Sequence, residues 1–317
     1  MKKPGILEGA ALLTTIFFFG AMESGSFFAY LFFYLAPLPL FILGLKKDNP
    51  WCGLIGAVAA LSLFFITTPQ ISIMYLLAIA APTTFFCGKA TSWTSPSQEG
   101  WYSLSNLAVF LIVPPIFFLV ILTVYYWLYG QGLSPFIIEK TNEIFDVYIA
   151  ALKGQGQNIN PLLSQQLDGV KKSFSDTAPA LIAIFWMSLI VLNGLIAQFI
   201  LKKSKRNQRP SFAMSDVQIP RTFAVIFLSS LALASFSTGE LGYLVTNLAA
   251  ILAFPVMLAG LGVVHIFANK TNYSGSILFV LYLIITFSRW AAVLVVLVGI
   301  ADHFLKLRNK VEADNLQ

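Results

Sequence analysis

The feature that most constrains this chain is an apolar segment, residues 180–201, followed directly by a short basic stretch, residues 202–209. The apolar segment is long enough to cross a bilayer, since about 20 apolar residues at a rise of 1.5 Å each cover a hydrocarbon core of about 30 Å. The stretch after it carries the basic side chains Lys202, Lys203, Lys205, Arg206 and Arg209. Short basic loops stay on the cytoplasmic side, so this loop predicts the orientation of the other spans.

The composition excludes a soluble fold. Of the 317 residues, 57% are hydrophobic and 11% are charged, and the mean hydropathy is +0.79. A soluble domain averages about 25% charged residues. We therefore predict an all-α, polytopic transmembrane helical bundle of about eight to ten membrane segments, with the lipid bilayer as its main partner. The net charge of +6 is spread over loops between helices, which does not indicate nucleic-acid binding.

The second apolar run, residues 27–45, contains two prolines, Pro37 and Pro39. Prolines inside a span remove backbone donors and bend or interrupt the helix. Two interpretations stay open at this point. The prolines either make a packing kink, or they mark a broken helix that lines a cavity.

A polar insertion, residues 130–177, separates two groups of apolar runs. Its four lysines and five acidic residues nearly balance, so we expect it on the extracytoplasmic side. Start signals at Ser134-Pro135 and Asn160-Pro161 predict two amphipathic helices. Their apolar faces comprise Ile138, Thr141, Phe145, Tyr148 and Leu152 in the first helix, and Leu163, Leu167, Val170 and Phe174 in the second. The insertion is interpreted either as a lid packed on the bundle or as a docking surface.

These segments are predicted to form one membrane domain over residues 1–317. It would consist of N-terminal helices (1–129), the insertion (130–177) and C-terminal helices (178–317). Residues Lys2 and Lys3 before the first apolar run predict a retained first span with a cytoplasmic N-terminus.

The last apolar run, residues 277–300, is interrupted by Ser288-Arg289-Trp290. One straight helix would place Arg289 near the bilayer centre, where a charge costs at least about 3 kcal/mol. It would also put the basic C-terminal residues, including Lys310, outside the cell. Either this run belongs to a hairpin of two short helices, residues 277–304, with Arg289 at the outer interface, or the segment 27–45 or its neighbour does not fully cross. We expect a cytoplasmic C-terminus in both cases.

Polar residues inside apolar runs are the candidate binding residues, because they are costly in a membrane unless they are paired. The full set inside the spans is Glu8, Asn193, Gln198, Asn247, His265 and Arg289. From the sequence we predict substrate binding by Asn193, Asn247, Arg289, Glu240, Pro37 and Pro39. Glu240 could pair with Arg289 if both lie at the outer face. The alternative for Asn193 and Asn247 is a hydrogen bond between helices that holds the bundle together.

Sequence motifs for catalysis are not found. The chain has no Walker A loop, no HExxH and no G-x-S-x-G motif, so we expect no catalytic residues and no ATPase of its own. Its two cysteines, Cys52 and Cys87, form no CxxC pair, and only two histidines are present. We therefore expect no metal, no cofactor, no disulfide and no enzymatic activity.

An ordered set of features in the C-terminal third carries a family resemblance. The features are Asn193, Arg209-Pro210, Ile219-Pro220, Gly260-Leu261-Gly262-Val263-Val264-His265, and Gly299-Ile300-Ala301-Asp302 with Arg308. In these residues the chain resembles the YybS-like family of bacterial multispanning membrane proteins, in its alphaproteobacterial form. The resemblance implies a bacterial inner-membrane location. The architecture of that family is similar to the substrate-binding subunits of energy-coupling factor importers, which implies small-molecule uptake.

Two functions of different classes are compatible with the sequence. The first is a solute-binding or permease component of a small-molecule transport system. The second is a non-catalytic membrane scaffold that binds partner membrane proteins through the insertion and through a small-residue face at residues 51–60. Polar residues recur inside several spans and not only at their ends, which favours transport.

Overall fold

The computed structural model describes residues 5–21, 26–46, 51–92, 100–155, 160–206, 209–210 and 212–308. Lys2, Lys3 and Lys310, on which part of the predicted topology depends, lie outside these residues. The described residues form α-helices and contain no strand, so the all-α prediction is confirmed. The helices are α1 (Ile6–Gly20), α2 (Phe27–Tyr34), α3 (Leu38–Gly44), α4 (Cys52–Ile66), α5 (Pro69–Tyr75), α6 (Ala81–Ala90), α7 (Leu104–Phe110), α8 (Val113–Leu128), α9 (Leu133–Gly154), α10 (Pro161–Lys203), α11 (Arg221–Phe236), α12 (Gly239–Ala268), α13 (Ser274–Phe287) and α14 (Arg289–Leu305).

Within the described residues, four helical segments are long and apolar enough to cross a membrane. They are Pro69–Ala90, Leu104–Leu128, Pro161–Lys203 and Gly239–Ala268, and the bent pair α13–α14 adds a fifth if it is one span. Four further apolar helices are shorter: Ile6–Gly20, Phe28–Gly44, Cys52–Ile66 and Arg221–Phe236. A multispanning helical protein is therefore supported, and the number of eight to ten crossings stays a prediction.

The chain folds into two compact units. The first unit comprises residues 1–111 and 185–218, and the second comprises residues 112–184 and 219–317. Helix α10 contributes its C-terminal half to the first unit and its N-terminal half to the second. That residues 1–317 form a single membrane domain stays a prediction.

The first unit is built around α3, α4 and the helical segment from α5 to α6. A π-helical turn, Leu76–Ala80, joins α5 to α6. The small-residue face of α4 is turned inward, since a Cβ on Gly56 would lie 3.0 Å from the Cβ of Ala80. The Ser72 hydroxyl donates to the carbonyl of Ala60 across the same contact, at 2.6 Å. In this face Gly56 and Ala60 therefore serve internal packing.

The second unit is centred on α12. In the most apolar 18-residue stretch of α12, 61% of the stretch is buried. In the corresponding stretch of the segment Leu104–Leu128, 22% is buried. Helix α14 crosses α12 in direct backbone contact at two glycines. A Cβ on Gly260 would collide with the carbonyl oxygen of Val295, and a Cβ on Gly299 would collide with that of Val256. This close approach explains why both crossing positions are glycine.

The insertion folds differently from its sequence prediction. Helix α9 forms as expected and buries Leu133 and Thr141. The second amphipathic helix does not end before the span, because residues 161–203 form one helix of 43 residues that continues through Pro179. The predicted boundary at residues 177 and 178 falls inside this helix. The contacts that let the helix pass a proline are described below.

Candidate functional site

A helix break in the first unit lies at Pro37 and Pro39. Helix α2 ends at Tyr34, and α3 begins at Leu38. The amide of Leu38 donates to the carbonyl of Leu35 at 3.0 Å, whereas a continuous α-helix would direct it to Tyr34. The structure therefore shows a helix interrupted at these prolines, and the cavity of the second interpretation stays a prediction. The break releases the carbonyl of Tyr34 for contacts with another helix.

Asn193 from α10 occupies this break. Its Nδ2 donates to the carbonyls of Tyr34 and Leu189, both at 2.8 Å, and the residue is 0% exposed. Because two carbonyls face the nitrogen, the amide orientation is determined, and Oδ1 points the other way. Asn193 Oδ1 is buried and has no hydrogen-bond partner. A group that donates a hydrogen bond, or a cation, would satisfy it.

A second set of polar contacts supports the same break. Thr15 of α1 donates to the carbonyl of Ala36 at 2.8 Å, and its hydroxyl lies 3.0 Å from the hydroxyl of Tyr75. Both Thr15 and Tyr75 are 0% exposed. The polypeptide around the break is thus fixed by side chains from α1, α5 and α10. These amide, hydroxyl and carbonyl groups bind through hydrogen bonds or to cations, and they offer no carboxylate or imidazole for proton transfer.

The π-helical turn is the other irregular element of the first unit. Trp186 of α10 donates from Nε1 to the carbonyl of Ala78 at 2.7 Å. Five residues beyond this carbonyl, Thr83 is 0% exposed, and its Oγ1 has no hydrogen-bond partner. The adjacent Thr84 behaves as threonines in helices usually do and donates to the carbonyl four residues earlier, Ala80. Thr83 was not among the predicted site residues, because a threonine in a helix normally pairs its hydroxyl with a carbonyl of the preceding turn.

The two cysteines of the first unit are neighbours. Cys52 and Cys87 are free and buried, and the sulfurs of both lie beside Gly44. Cys52 also donates to the carbonyl of Leu40 at 3.3 Å. Across the described ranges, no group of three or more His, Cys, Asp or Glu side chains could hold a metal ion.

Asn247, a predicted binding residue, belongs to the second unit and has a structural role there. Its Oδ1 accepts from the amide of Ala180 at 3.0 Å, and its Nδ2 donates to the carbonyls of Asp176 and Tyr243 at 3.1 and 2.9 Å. Pro179 lacks an amide hydrogen, so the carbonyl of Ser175 loses its donor within the helix. The Tyr243 hydroxyl replaces that donor at 3.0 Å. Helix α10 can therefore continue through Pro179.

Glu240 and Arg289, also in the second unit, do not form the ion pair that the sequence suggested. Glu240 accepts from the amides of Leu133 and Ser134 at 3.0 and 3.2 Å, which anchors the first turn of α9 on α12. Arg289 is exposed and lies at the bend between α13 and α14, where the chain turns by 119°. Its guanidinium is 5.8 Å from the ring centre of Trp290. This geometry agrees with the hairpin interpretation of residues 277–300.

An ion pair in the second unit was not predicted as part of a site. Arg308 is 6% exposed, and its Nε donates to Asp302 at 2.7 Å. Its Nη2 donates to the carbonyl of Ala259, beside the glycine crossing of α12 and α14, at 2.8 Å. Asp302 and Arg308 both belong to the C-terminal features on which the family resemblance rests. In the sequence, that resemblance was the one signal that pointed to them.

Arg209 also has a structural role. Its Nη1 donates to the carbonyls of Ala90 and Tyr102, and its guanidinium lies 4.2 Å from the ring centre of Phe212. Burial lowers the pKa of this guanidinium, and the nearby Asp216 acts in the opposite direction. One of the five charges that predicted the orientation is therefore used to fix its own loop within the first unit.

Comparison with known proteins gives one family and no individual relative. No curated protein and no solved structure matches the chain significantly. Residues 12–303 match the family described as Predicted membrane protein (DUF2232). That match covers most of the chain, including the helix break, Asn193, Thr83 and the crossing of α12 and α14. The chain therefore belongs to this family of predicted membrane proteins, DUF2232.

Proposed function

We propose that this protein is the solute-binding or permease component of a small-molecule transport system. It would act in a bacterial inner membrane, with both termini cytoplasmic. The observation that carries the proposal is the buried, unpartnered Asn193 Oδ1 at the broken helix of the first unit. The resemblance to YybS-like proteins, and through them to substrate-binding subunits of energy-coupling factor importers, points in the same direction as a fold-level analogy.

The physical reason is the free energy of the empty site. A buried polar atom without a partner costs about 1–3 kcal/mol, and an apolar residue at position 193 would avoid this penalty. A bound group that donates to Oδ1 recovers it. Broken helices whose peptide groups line a cavity are the usual binding elements of membrane transporters. Asn193 Oδ1 is such an unpartnered atom, and Asn193 contacts the helix break at Pro37 and Pro39 through the carbonyl of Tyr34.

The protein would be a non-catalytic component. No Walker A loop occurs in its sequence, so any ATP-driven step requires a separate subunit. The groups at the break are amide, hydroxyl and carbonyl groups, which suit binding and release better than bond cleavage.

The test is native purification followed by mass spectrometry of co-purifying small molecules and subunits. We expect a small molecule with a hydrogen-bond donor to accompany the native protein and to be lost from Asn193→Leu. The matched control is Asn106→Leu, since Asn106 is exposed on α7 in the first unit. Retention of the same molecule by Asn193→Leu, or the absence of any bound molecule from folded native protein, would refute the proposal.

One observation favours the second candidate function, a membrane scaffold. On α9, the apolar side chains Ile144, Val147 and Tyr148 are 61%, 72% and 52% exposed and form a continuous stripe. The small-residue positions Gly56 and Ala60 are used internally, so α9 is the better docking surface. For a scaffold, Val147→Glu should remove a co-purifying membrane protein without lowering the thermal midpoint. No change in the co-purified proteins would reject this function.

A further inference from the structure

The two free cysteines of the first unit meet at one glycine of α3. A Cβ on Gly44 would lie 2.5 Å from the Sγ of Cys87 and 3.1 Å from the Sγ of Cys52. The three heavy atoms nearest to that Cβ position all belong to the two cysteines. Cys52 begins α4 and Cys87 lies in α6, and both helices pack on α3 and on each other. Two thiols that are far apart in the sequence are therefore neighbours in the fold.

The surroundings of the two sulfurs favour a neutral product. Cys52 and Cys87 are 5% and 3% exposed. The Cys52 thiol donates to the carbonyl of Leu40 at 3.3 Å, and its sulfur lies 3.8 Å from the hydroxyl oxygen of Thr84. Among the described residues no third His, Cys, Asp or Glu side chain joins the pair to make a metal site. A metal held by two thiolates would place charge in this buried space, whereas a disulfide carries none.

We propose that Cys52 and Cys87 are a modification site for hydroperoxides, at which oxidation joins the two thiols in a reversible disulfide. The inference goes beyond the proposed function and does not depend on it. A disulfide has an S–S length of about 2.05 Å, so the two side chains must rotate towards each other. Gly44 leaves the space in which they do so, because it has no side chain between the two sulfurs.

The reaction has two steps. Cys52 is the first residue of α4, and the N-terminus of a helix favours the negative charge of a thiolate. Its sulfur attacks the hydroperoxide, so an S–O bond forms, the O–O bond breaks and the thiol proton leaves with the alcohol or water. The sulfur of Cys87 then displaces the sulfenic oxygen of Cys52, and its proton leaves with that oxygen as water. Two electrons pass from the thiols to the peroxide, and a thiol reductant reverses the oxidation by exchange.

The disulfide would change the contacts of α3. In the reduced protein the Cys52 thiol donates to the carbonyl of Leu40. A disulfide sulfur has no proton, so this hydrogen bond is lost on oxidation. Leu40 is 0% exposed and belongs to the first turn of α3, which begins directly after the helix break. Oxidation would therefore join α4 to α6 and remove one contact of α4 with the helix that follows the break.

The test treats the reduced full-length protein in detergent micelles with hydrogen peroxide and removes the excess with catalase. The protein is then unfolded in sodium dodecyl sulfate, alkylated with N-ethylmaleimide and measured by intact mass spectrometry. We expect the native chain to lose both alkylation sites and a mass of two hydrogen atoms, and dithiothreitol to restore both sites. Oxidation of protein that is unfolded beforehand should form the disulfide at least about tenfold more slowly, because the fold holds the thiols together.

The matched controls are Cys87→Ser and Cys52→Ser, which each keep one of the two thiols. Cys87→Ser should gain one oxygen at Cys52, which dimedone traps, because no second thiol displaces it. Cys52→Ser should react with dimedone more slowly, since Cys87 is not at a helix N-terminus. Native folded protein that keeps both alkylation sites, gains oxygen without a bridge or forms only disulfides between chains would overturn the inference. Equal rates of bridging in folded and unfolded protein would overturn it as well.

Discussion

The hydrogen bonds around Pro179 allow a prediction in which one substitution should cancel the effect of another. Tyr243→Phe removes the hydroxyl that donates to the carbonyl of Ser175 at 3.0 Å. Pro179→Ala restores an amide hydrogen at position 179, and that amide can donate to the same carbonyl within the helix. We expect Tyr243→Phe to destabilise the native protein and to have little effect in the Pro179→Ala background.

The magnitude follows from the number of groups left unpaired. Hydrogen bonds between membrane helices contribute about 0.6 kcal/mol on average and up to about 1.7 kcal/mol. A buried carbonyl without a donor costs about 1–3 kcal/mol. We therefore expect Tyr243→Phe to lower the free energy of unfolding by about 1–2 kcal/mol. In the Pro179→Ala background the loss should fall below about 0.5 kcal/mol, which gives a coupling energy of about 1 kcal/mol.

The assay is a double-mutant cycle on the purified protein in bicelles, with reversible unfolding followed by circular dichroism. The control is Tyr148→Phe, because Tyr148 is 52% exposed on α9 and should change the free energy of unfolding by less than about 0.5 kcal/mol. Equal losses from Tyr243→Phe in the two backgrounds would show that its hydroxyl does not replace the missing donor. The explanation for the continuity of α10 would then be wrong.

Three further predictions concern the second unit. Gly260→Leu should destabilise this unit by at least about 3 kcal/mol, because a Cβ at position 260 would collide with backbone atoms of α14. The control is Gly275→Leu, whose side chain enters open space. The yield of monodisperse protein measures the difference between the two variants. Arg308→Met should cost about 3–5 kcal/mol by removing the guanidinium from the largely buried carboxylate of Asp302, and adding Asp302→Leu should recover part of the loss in the same unfolding assay. Glu240→Gln should weaken the contact with the first turn of α9 by about 1 kcal/mol, so hydrogen exchange of the amides in that turn should be roughly fivefold faster. Unchanged exchange would contradict the capping role of Glu240.

The part of the fold that could be predicted is the part determined by local pattern. Long apolar runs are expected to be helical in a membrane, because a helix is the structure in which a single segment satisfies its own backbone hydrogen bonds there. The extent of α10 could not be predicted in the same way. A proline usually ends a helix near the preceding residue. At Pro179 the outcome depends on Tyr243 and Asn247, which lie more than 60 residues further along the chain.

The candidate site shows the same division between local and distant information. Asn193 could be identified because an amide inside an apolar run is conspicuous in any sequence. Its role could not be separated from that of Asn247 by sequence, since both are asparagines within spans. Thr83 is an ordinary residue of an apolar helix in the sequence, and only the structure shows its buried, unpartnered hydroxyl close after the π-helical turn. That turn has no recognised sequence signature in the segment Leu76–Ala80.

The two proline-containing sites differ in how completely their polar groups are paired. At Pro179 every released peptide group described above has a partner, and both polar ends of Asn247 are used. At Pro37 the released carbonyl of Tyr34 is also satisfied, yet the asparagine that satisfies it keeps a buried oxygen without a partner. A proline site that only bends a helix could have all of its polar groups paired, as the site at Pro179 does. Leaving an acceptor unsatisfied in the membrane is unfavourable unless a ligand supplies the missing contact, so binding is expected at Asn193 and structural support at Asn247.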